Sequence, residues 1–571
     1  MPKYPKKKLA QLLLQACVHH EIENVVISPG SRNAPLTLGF VNHSKINALS
    51  IVDERCAGFF ALGMAQQIRK PVALLCTSGS ALLNYYPAIA EAYYSKIPLV
   101  VLSADRPKHL IDIGDGQTIR QENVFANHIL FQTNLINEEA AFQEDDRSEL
   151  FLSQARLVDE ALTCAEEKMG PVHINLPFDE PLYETVEFLY DFSPLFEKDE
   201  VLPTSLLKEE PIPVEALQHF ADIWNGSDKK MVLSGSNFPD ELLQTQMSHL
   251  VKDPSVLVLT ETTSNVNGDG FVNNIDQLIF PLDKDELEAL RPDILLTFGG
   301  MVVSKRIKQF LRKYPPKFHW HIDAQVALDT YHCLNQHFDV SPQLFFSQFF
   351  FLTKKVTSPY QKHWLDIRGQ RKIHHQDFLD RVEYSDLFVF DKILKSLPNS
   401  SNVQLSNSSI IRYAQLFDLD SSLRVFCNRG TSGIDGSTST AIGAACARKE
   451  QTVFITGDIS FFYDSNALWN KYIPENFRII LINNGGGGIF RFIPGPKASD
   501  ALDFFETTHD LNASHLCRMF GIAYEAASNS GELDTQLKSF YEEQGKPKLL
   551  EVFTPGERND ICLKDYFKAL S

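Results

Sequence analysis

Two short stretches in the last third of the chain carry the residue types of a cation site. Gly457-Asp458-Ile459-Ser460 is followed by Asn466, and 26 residues after Asp458 stands Asn484, inside Asn483-Asn-Gly-Gly-Gly-Gly-Ile-Phe490. Asp458 supplies a carboxylate and Asn484 an amide oxygen. The glycine run lets a main-chain carbonyl come close. These are hard oxygen donors, and phosphate oxygens and water would complete the octahedron that Mg2+ or Mn2+ prefers. The segment before Asp458 reads as a strand end opening onto a helix start, where the N–H groups of Gly457, Ile459 and Ser460 suit a diphosphate. A spacing of 26 residues is one β-α-β crossover, which puts both side chains at the carboxyl edge of adjacent parallel strands. Either half alone reads as a plain αβ turn or a glycine loop; the pair at this spacing points to a site.

Such a site needs strands to carry it. Short apolar runs recur at Val72–Cys76, Leu99–Ser103, Met231–Ser234, Ile294–Phe298, Val453–Thr456 and Ile479–Asn483, each followed by small or polar residues and a helical pattern. That alternation predicts parallel sheets with crossover helices. The chain also repeats itself. Asn24-Val-Val-Ile-Ser-Pro-Gly-Ser31 corresponds to Asn402-Val-Gln-Leu-Ser-Asn-Ser-Ser409 at a shift of 378, and Ala61-Leu-Gly-Met-Ala65 to Ala441-Ile-Gly-Ala-Ala445 at 380. At that shift Ala73–Cys76 falls on Val453–Thr456, and Val100–Ser103 on Ile480–Asn483. Four elements at a near-constant offset predict two related α/β domains flanking a third. We expect boundaries at 1–188, 189–365 and 366–571. The middle piece is bounded by prolines such as Pro203 and Pro211-Ile-Pro213, and Thr353–Gln376 reads as a linker with the entry to the last domain.

Bulk properties narrow the function. A chain of 571 residues exceeds one core, and its formal net charge of −18 repels phosphate backbones and anionic lipid. We expect no nucleic-acid partner and no stable membrane insertion. Nine cysteines without a CxxC pair suit a reducing, cytoplasmic setting. Cys333 with His332 and His337 could suggest zinc, but no second ligand pair accompanies them. Near the start, Lys6-Lys-Lys8 and Leu14-Gln-Ala-Cys17 faintly resemble a lipoprotein signal. Against that, Leu9, Leu12, Leu13, Ala16 and Cys17 mark one face of an amphipathic helix.

The GD–NN pattern resembles the thiamine diphosphate motif of the pyruvate decarboxylase-like superfamily. The resemblance implies a pyrimidine-binding domain facing a diphosphate-binding domain of the same fold, three Rossmann-like domains in all, and homo-oligomers. It implies a glutamate on the cofactor's pyrimidine ring, which Glu54 in Asp53-Glu54-Arg55 matches, and an apolar wedge under the bent cofactor. Shifted by 380, Glu54 falls on Ile434. A closer resemblance is to the 2-succinyl-5-enolpyruvyl-6-hydroxy-3-cyclohexene-1-carboxylate synthases of menaquinone biosynthesis. It rests on Ser28-Pro-Gly-Ser-Arg-Asn-Ala-Pro35, Cys76-Thr-Ser-Gly-Ser-Ala81, Ser103-Ala-Asp-Arg-Pro107, Gly116-Gln117, Ser304-Lys-Arg306, Asn407-Ser408 with Arg412, and Asn428-Arg-Gly-Thr-Ser-Gly-Ile-Asp-Gly436. The match departs at the all-glycine Gly485–Gly488, where relatives often carry a third Asn or a polar residue, and at Gly116.

That resemblance implies thiamine diphosphate and Mg2+ (or Mn2+) as cofactors, 2-oxoglutarate and isochorismate as substrates, and a dimer or tetramer. Cofactor contacts would come from Glu54, Ser408, Ile434, Gly457, Asp458, Ile459, Ser460, Asn484, Gly486, Ile489 and Phe490, with Asp458, Asn484 and Gly486 on the metal. Both substrates are dicarboxylates, and guanidinium groups grip carboxylates at two points. Arg32, Arg106, Lys305, Arg306, Arg412 and Arg429 are the expected clamps, with Ser31 and Gln117 as hydrogen-bonding partners. Glu54, Arg32, Gln117, Arg412 and Arg429 would act in catalysis. An acetohydroxyacid synthase-like enzyme or a 2-oxo acid decarboxylase stays open as a rival. A nicotinamide dehydrogenase would need a GxGxxG loop after a strand, and none stands there; a non-catalytic homologue should have lost Glu54 or Asp458.

Overall fold

The computed structural model describes residues 3–136, 149–192, 195–196, 210–491, 500–542 and 545–571; Pro203 lies outside them. The alternating apolar runs become three six-stranded sheets, parallel throughout. Strands such as Val72–Cys76 and Arg478–Asn483 are buried along their whole length, as expected where helices cover both faces. The chain divides into two compact units: Met1–Leu207 with Gly430–Lys449 and Phe462–Phe477, and Lys208–Arg429 with Glu450–Phe461 and Arg478–Ser571.

The first unit holds one of the six-stranded sheets, in the order Asn47–Ser50, Asn24–Ile27, Val72–Cys76, Leu99–Asp105, Val172–Pro177, Phe131–Asn134. Numbered along the chain, that is 2-1-3-4-6-5. The amphipathic start is the helix Lys8–His19, and its Leu9, Leu12, Leu13, Ala16 and Cys17 lie in the core beneath this sheet. The two small-residue motifs of the repeat also meet here, because the helix Glu54–Ile68 packs against the helix Ser437–Cys446. A Cβ on Gly63 would stand 2.0 Å from the Thr440 carbonyl oxygen, and one on Gly443 would stand 1.9 Å from that of Phe60. Shifted by 380, Gly63 becomes Gly443 and Phe60 becomes Thr440, so the crossing is its own image. Only glycine at both positions lets the backbones approach so closely.

The second unit holds two sheets. One runs Phe271–Val272, Val256–Leu259, Lys230–Ser234, Ile294–Phe298, Phe318–Ile322, Gln336–Phe338, the doubly wound order 3-2-1-4-5-6. Trp224, Trp320, Phe338, Phe345 and Phe349 fill its core, where part of the phenylalanine-rich composition goes. The other runs Arg424–Cys427, Asn402–Leu405, Thr452–Gly457, Arg478–Asn483, Lys548–Phe553, Ala523–Ala527. That is again 2-1-3-4-6-5, strand for strand the order of the first unit's sheet. Thr353–Gln376 contributes most of one long helix, Tyr360–Leu379. Its Tyr360 and Trp364 pack under the middle sheet, and its Leu379 joins the core of the last.

Candidate active site

In the second unit, Gly457 and Ile482 are paired residues on adjacent parallel strands, so Asp458 and Asn484 leave the sheet at one carboxyl edge. Asp458 is 3% exposed. Its Oδ1 accepts the N–H of Ile459 (2.7 Å), and its Oδ2 accepts those of Asn484 (3.1 Å) and Gly486 (3.0 Å). Burial pushes this carboxyl above the usual range, while the N–H groups and His509, whose Nε2 is 3.6 Å from Oδ2, pull the other way. A buried carboxylate in that position gains from a cation. Asn484 gives its amide nitrogen to the Asp386 carboxylate (3.1 Å), which leaves its amide oxygen as the donor for a metal. Gly486 has φ +152°, and a Cβ there would lie 2.8 Å from the Glu506 carbonyl oxygen. The donors are one carboxylate, one amide oxygen and a carbonyl on a loop that only glycine can follow. They fit Mg2+ or Mn2+ on a diphosphate. Ser460 is buried in the first turn after Asp458, and Ile489 and Phe490 follow in the turn Gly488–Arg491, with the Phe490 ring 5.3 Å from that of Phe505.

The same unit gathers three of the expected clamps. Arg429, 8% exposed, donates from Nη1 to the Asn407 side-chain oxygen (2.7 Å), and Asn407 in turn donates to the Asn428 carbonyl (2.7 Å). Arg412 donates to the Ser408 carbonyl. Ser408 holds φ +68°, a conformation unusual for a residue with a Cβ and often found at functional sites. Burial lowers the Arg412 pKa, and the charge of Arg429 lowers it further. The Arg306 guanidinium lies 4.0 Å from the Phe280 ring centre and 5.3 Å from that of Phe567. Asp276, hydrogen-bonded to Ser304, is the shared counter-charge of Arg306 and Arg412; burial raises its pKa and both guanidiniums oppose the rise. Glu261 accepts the N–H groups of Val303 (2.6 Å) and Ser304 (2.7 Å) and is pushed up to about 7 by burial. Lys305, next to Arg306, is exposed.

The first unit holds the other set. Glu54 begins the helix Glu54–Ile68 and accepts the Asn84 amide (3.2 Å). Arg55 beside it donates to the Asp435 carbonyl (2.5 Å) and lies 3.3 Å from Asp464, which accepts the Ser439 N–H (2.7 Å). Burial pushes Asp464 up to about 7, against the pull of Ser439 and Arg55. These bonds tie the start of the Glu54 helix to the loop that carries Ile434. The buried Glu91 holds the same loop from its other end, accepting the N–H groups of Gly430 and Thr431 (2.7 Å each). Asn466 donates to Asp53 (2.9 Å), the neighbour of Glu54.

Arg32, 6% exposed, donates to the Phe178 carbonyl (2.8 Å); burial first, then the charge of Arg106, lowers its pKa. Arg106 donates to the Gly116 carbonyl (3.1 Å) and follows Asp105, which is fixed by Asn175 (2.8 Å). Gln117 has φ +59° and its carbonyl accepts the Ser78 hydroxyl (2.9 Å). Ser31 is exposed beside buried Arg32.

The structure therefore groups Arg306, Arg412 and Arg429 in one unit and Arg32 with Arg106 in the other. Sequence reading missed Asp276, Glu261, Asp386 and His509. Asp276, Glu261 and Asp386 come from elements or turns outside the motifs and His509 from the loop between Leu502–Glu506 and Ser514–Phe520, and no motif spacing marks them.

Residues 7–133 match the thiamine pyrophosphate enzyme N-terminal TPP binding domain, residues 242–404 the middle domain, and residues 408–552 the C-terminal TPP binding domain. A protein of Flavobacterium johnsoniae is 51% identical over 570 residues, covering 100% of both chains. One of Christiangramia forsetii is 53% identical over 99% of each chain, and one of Desulfotalea psychrophila is 39% identical over 96% of this chain and 98% of its own. All three bear the name 2-succinyl-5-enolpyruvyl-6-hydroxy-3-cyclohexene-1-carboxylate synthase.

Proposed function

We infer the reaction from one premise: the chain belongs to the family of 2-succinyl-5-enolpyruvyl-6-hydroxy-3-cyclohexene-1-carboxylate synthases, which are thiamine diphosphate enzymes. It decarboxylates 2-oxoglutarate and adds the remaining four-carbon succinyl unit to isochorismate, releasing CO2, as a step of menaquinone biosynthesis. Bound thiamine diphosphate supplies the stabilised carbanion equivalent that the decarboxylation needs. The chain's residues supply the rest. Asp458, the Asn484 amide oxygen and the Gly486 carbonyl would hold Mg2+ or Mn2+ with the diphosphate, and Gly457, Ile459, Ser460, Ser408, Ile489 and Phe490 would line that end. Glu54 would hold a proton at the pyrimidine ring nitrogen, and Ile434 would be the apolar wedge against the cofactor.

Arg306, Arg412 and Arg429 with Lys305, and Arg32 with Arg106, bind the substrate carboxylates; Ser31 and Gln117 orient them. The observation that carries this reading is that Arg306 and Arg412 share the buried counter-charge Asp276, with Arg429 acting on Arg412, in a chain of net charge −18. Neighbouring guanidiniums favour an arriving dianion. We propose further that the enzyme is a cytoplasmic homodimer or homotetramer with domains 1–188, 189–365 and 366–571. No helix among the described residues is long and apolar enough to cross a membrane.

The test is an assay with thiamine diphosphate, Mg2+, 2-oxoglutarate and isochorismate, read by product mass. The expected product has the summed mass of both substrates less CO2. Turnover of pyruvate alone with no such adduct would return the choice to an acetohydroxyacid synthase-like enzyme or a simple decarboxylase.

A further inference from the structure

We propose that Asp386 is a positioning residue for the cation site, fixing which atom of the Asn484 amide faces the metal. The inference rests on the metal reading above. An asparagine side chain presents an oxygen on one side and an NH2 on the other, and the two differ little in shape. A dication needs the oxygen; an amide turned by half a rotation would meet it with N–H dipoles. Something must therefore select the rotamer before metal arrives.

Asp386 has the means. Its Oδ2 accepts the Asn484 Nδ2–H at 3.1 Å, and a carboxylate in its ionised form can only accept. The NH2 is drawn to Asp386 and the oxygen is left for the cation. The carboxylate is itself held firmly. Its Oδ1 accepts the Thr554 hydroxyl (2.5 Å), and its main-chain N–H donates to the Asn559 side-chain oxygen (2.9 Å). Thr554 is in turn tied by its N–H to the Asn483 carbonyl (3.0 Å), one residue before Asn484. Asp386 is 2% exposed and sits at the start of the helix Asp386–Ser396, after the Ser385 cap, where the helix dipole favours an anion. Ligand, acid and support thus close a small ring of hydrogen bonds from three elements, although Asp386 and Asn484 lie 98 positions apart. Such outer partners also strengthen the ligand they hold.

The rival account is a buried acid that serves only to dock Thr554 and Asn559. Binding of Mn2+, followed by electron paramagnetic resonance with thiamine diphosphate present, separates the two. Wild-type protein that fails to take up Mn2+ under these conditions overturns the metal reading, and the positioning role with it. If wild type binds, Asp386→Leu should weaken Mn2+ roughly 10–100-fold; binding within about twofold of wild type, on the scale where affinities are resolved, overturns the positioning role alone. The second arm holds even if the leucine variant does not fold. Asn484→Asp sets two carboxylates against each other and should bind Mn2+ poorly. Adding Asp386→Asn restores a donor–acceptor pair with the polarity reversed, and should recover most of the lost affinity. A double variant whose losses simply add would show that Asp386 does not act through residue 484.

Discussion

The first and last sheets have the same strand order, 2-1-3-4-6-5, yet opposite chemistry at corresponding positions. Where the last copy has Gly457-Asp458 at the end of its third strand, the first has Thr77-Ser78; where the last has Asn484 after its fourth, the first has Ala104. Conversely Glu54 of the first copy corresponds, at the shift of 380, to Ile434 of the last. The buried Asp458 collects main-chain N–H groups, whereas Ser78 spends its hydroxyl on the Gln117 carbonyl. The backbone sets where strand ends fall, and on the proposed reading single residues then decide whether an end holds a cation, turns a loop or handles a proton. Fold and function separate cleanly here because both copies are in one chain.

Substitutions at these positions test how complete that division of labour is. Glu54→Gln should have the largest effect. On the proposed reading it removes the proton-handling group and should slow exchange of the thiazolium C2 proton, measured by NMR, on the order of 10²–10⁴-fold while cofactor still binds. Unchanged exchange would remove Glu54 from the chemistry and leave the two copies less distinct than described. Asp458→Ala should come next, costing about 10²–10³-fold in turnover at fixed cofactor, with Mg2+-dependent retention of thiamine diphosphate lost. Calorimetry showing wild-type retention would break the assignment of the last copy to the metal.

The arginines should be intermediate. Arg412→Ala or Arg429→Ala should each lose a charge-assisted contact of about 2 kcal/mol, roughly thirtyfold in KM for one dicarboxylate, with cofactor affinity nearly constant. Small, equal changes for both substrates would mean that these groups only brace the fold. Ser78→Ala, the first-copy counterpart of Asp458, should be mildest, at about 1 kcal/mol of stability from one lost hydrogen bond. A Ser78 variant that lost metal-dependent cofactor retention would show that the copies are not specialised as proposed.

Much of this was readable before any coordinates. Strands such as Thr452–Gly457 and Ile294–Phe298 show as apolar runs because sheets covered on both faces need no polar alternation. Asp458 and Asn484 announce themselves because local backbone geometry links their spacing to one crossover. Asp386, Asp276 and Glu261 do not, since a lone acid in a helix or turn looks like any solvated carboxylate until tertiary packing buries it. Nor does sequence reveal that Gly430–Lys449 and Phe462–Phe477 belong to the compact unit of the N-terminal sheet. That depends on contacts between residues hundreds of positions apart, for which no periodicity exists.

The glycine crossing of Gly63 with Thr440 and Gly443 with Phe60 also fixes a schedule. A ribosome adding roughly 5–20 residues per second takes on the order of 20–80 s to travel from one glycine to the other. For that interval the helix Glu54–Ile68 has its strand and neighbouring helix, but its face toward the helix Ser437–Cys446 has no partner from its own chain. Closing a loop of 380 residues is entropically costly and late. The N-terminal unit of this protein is therefore begun first and finished almost last.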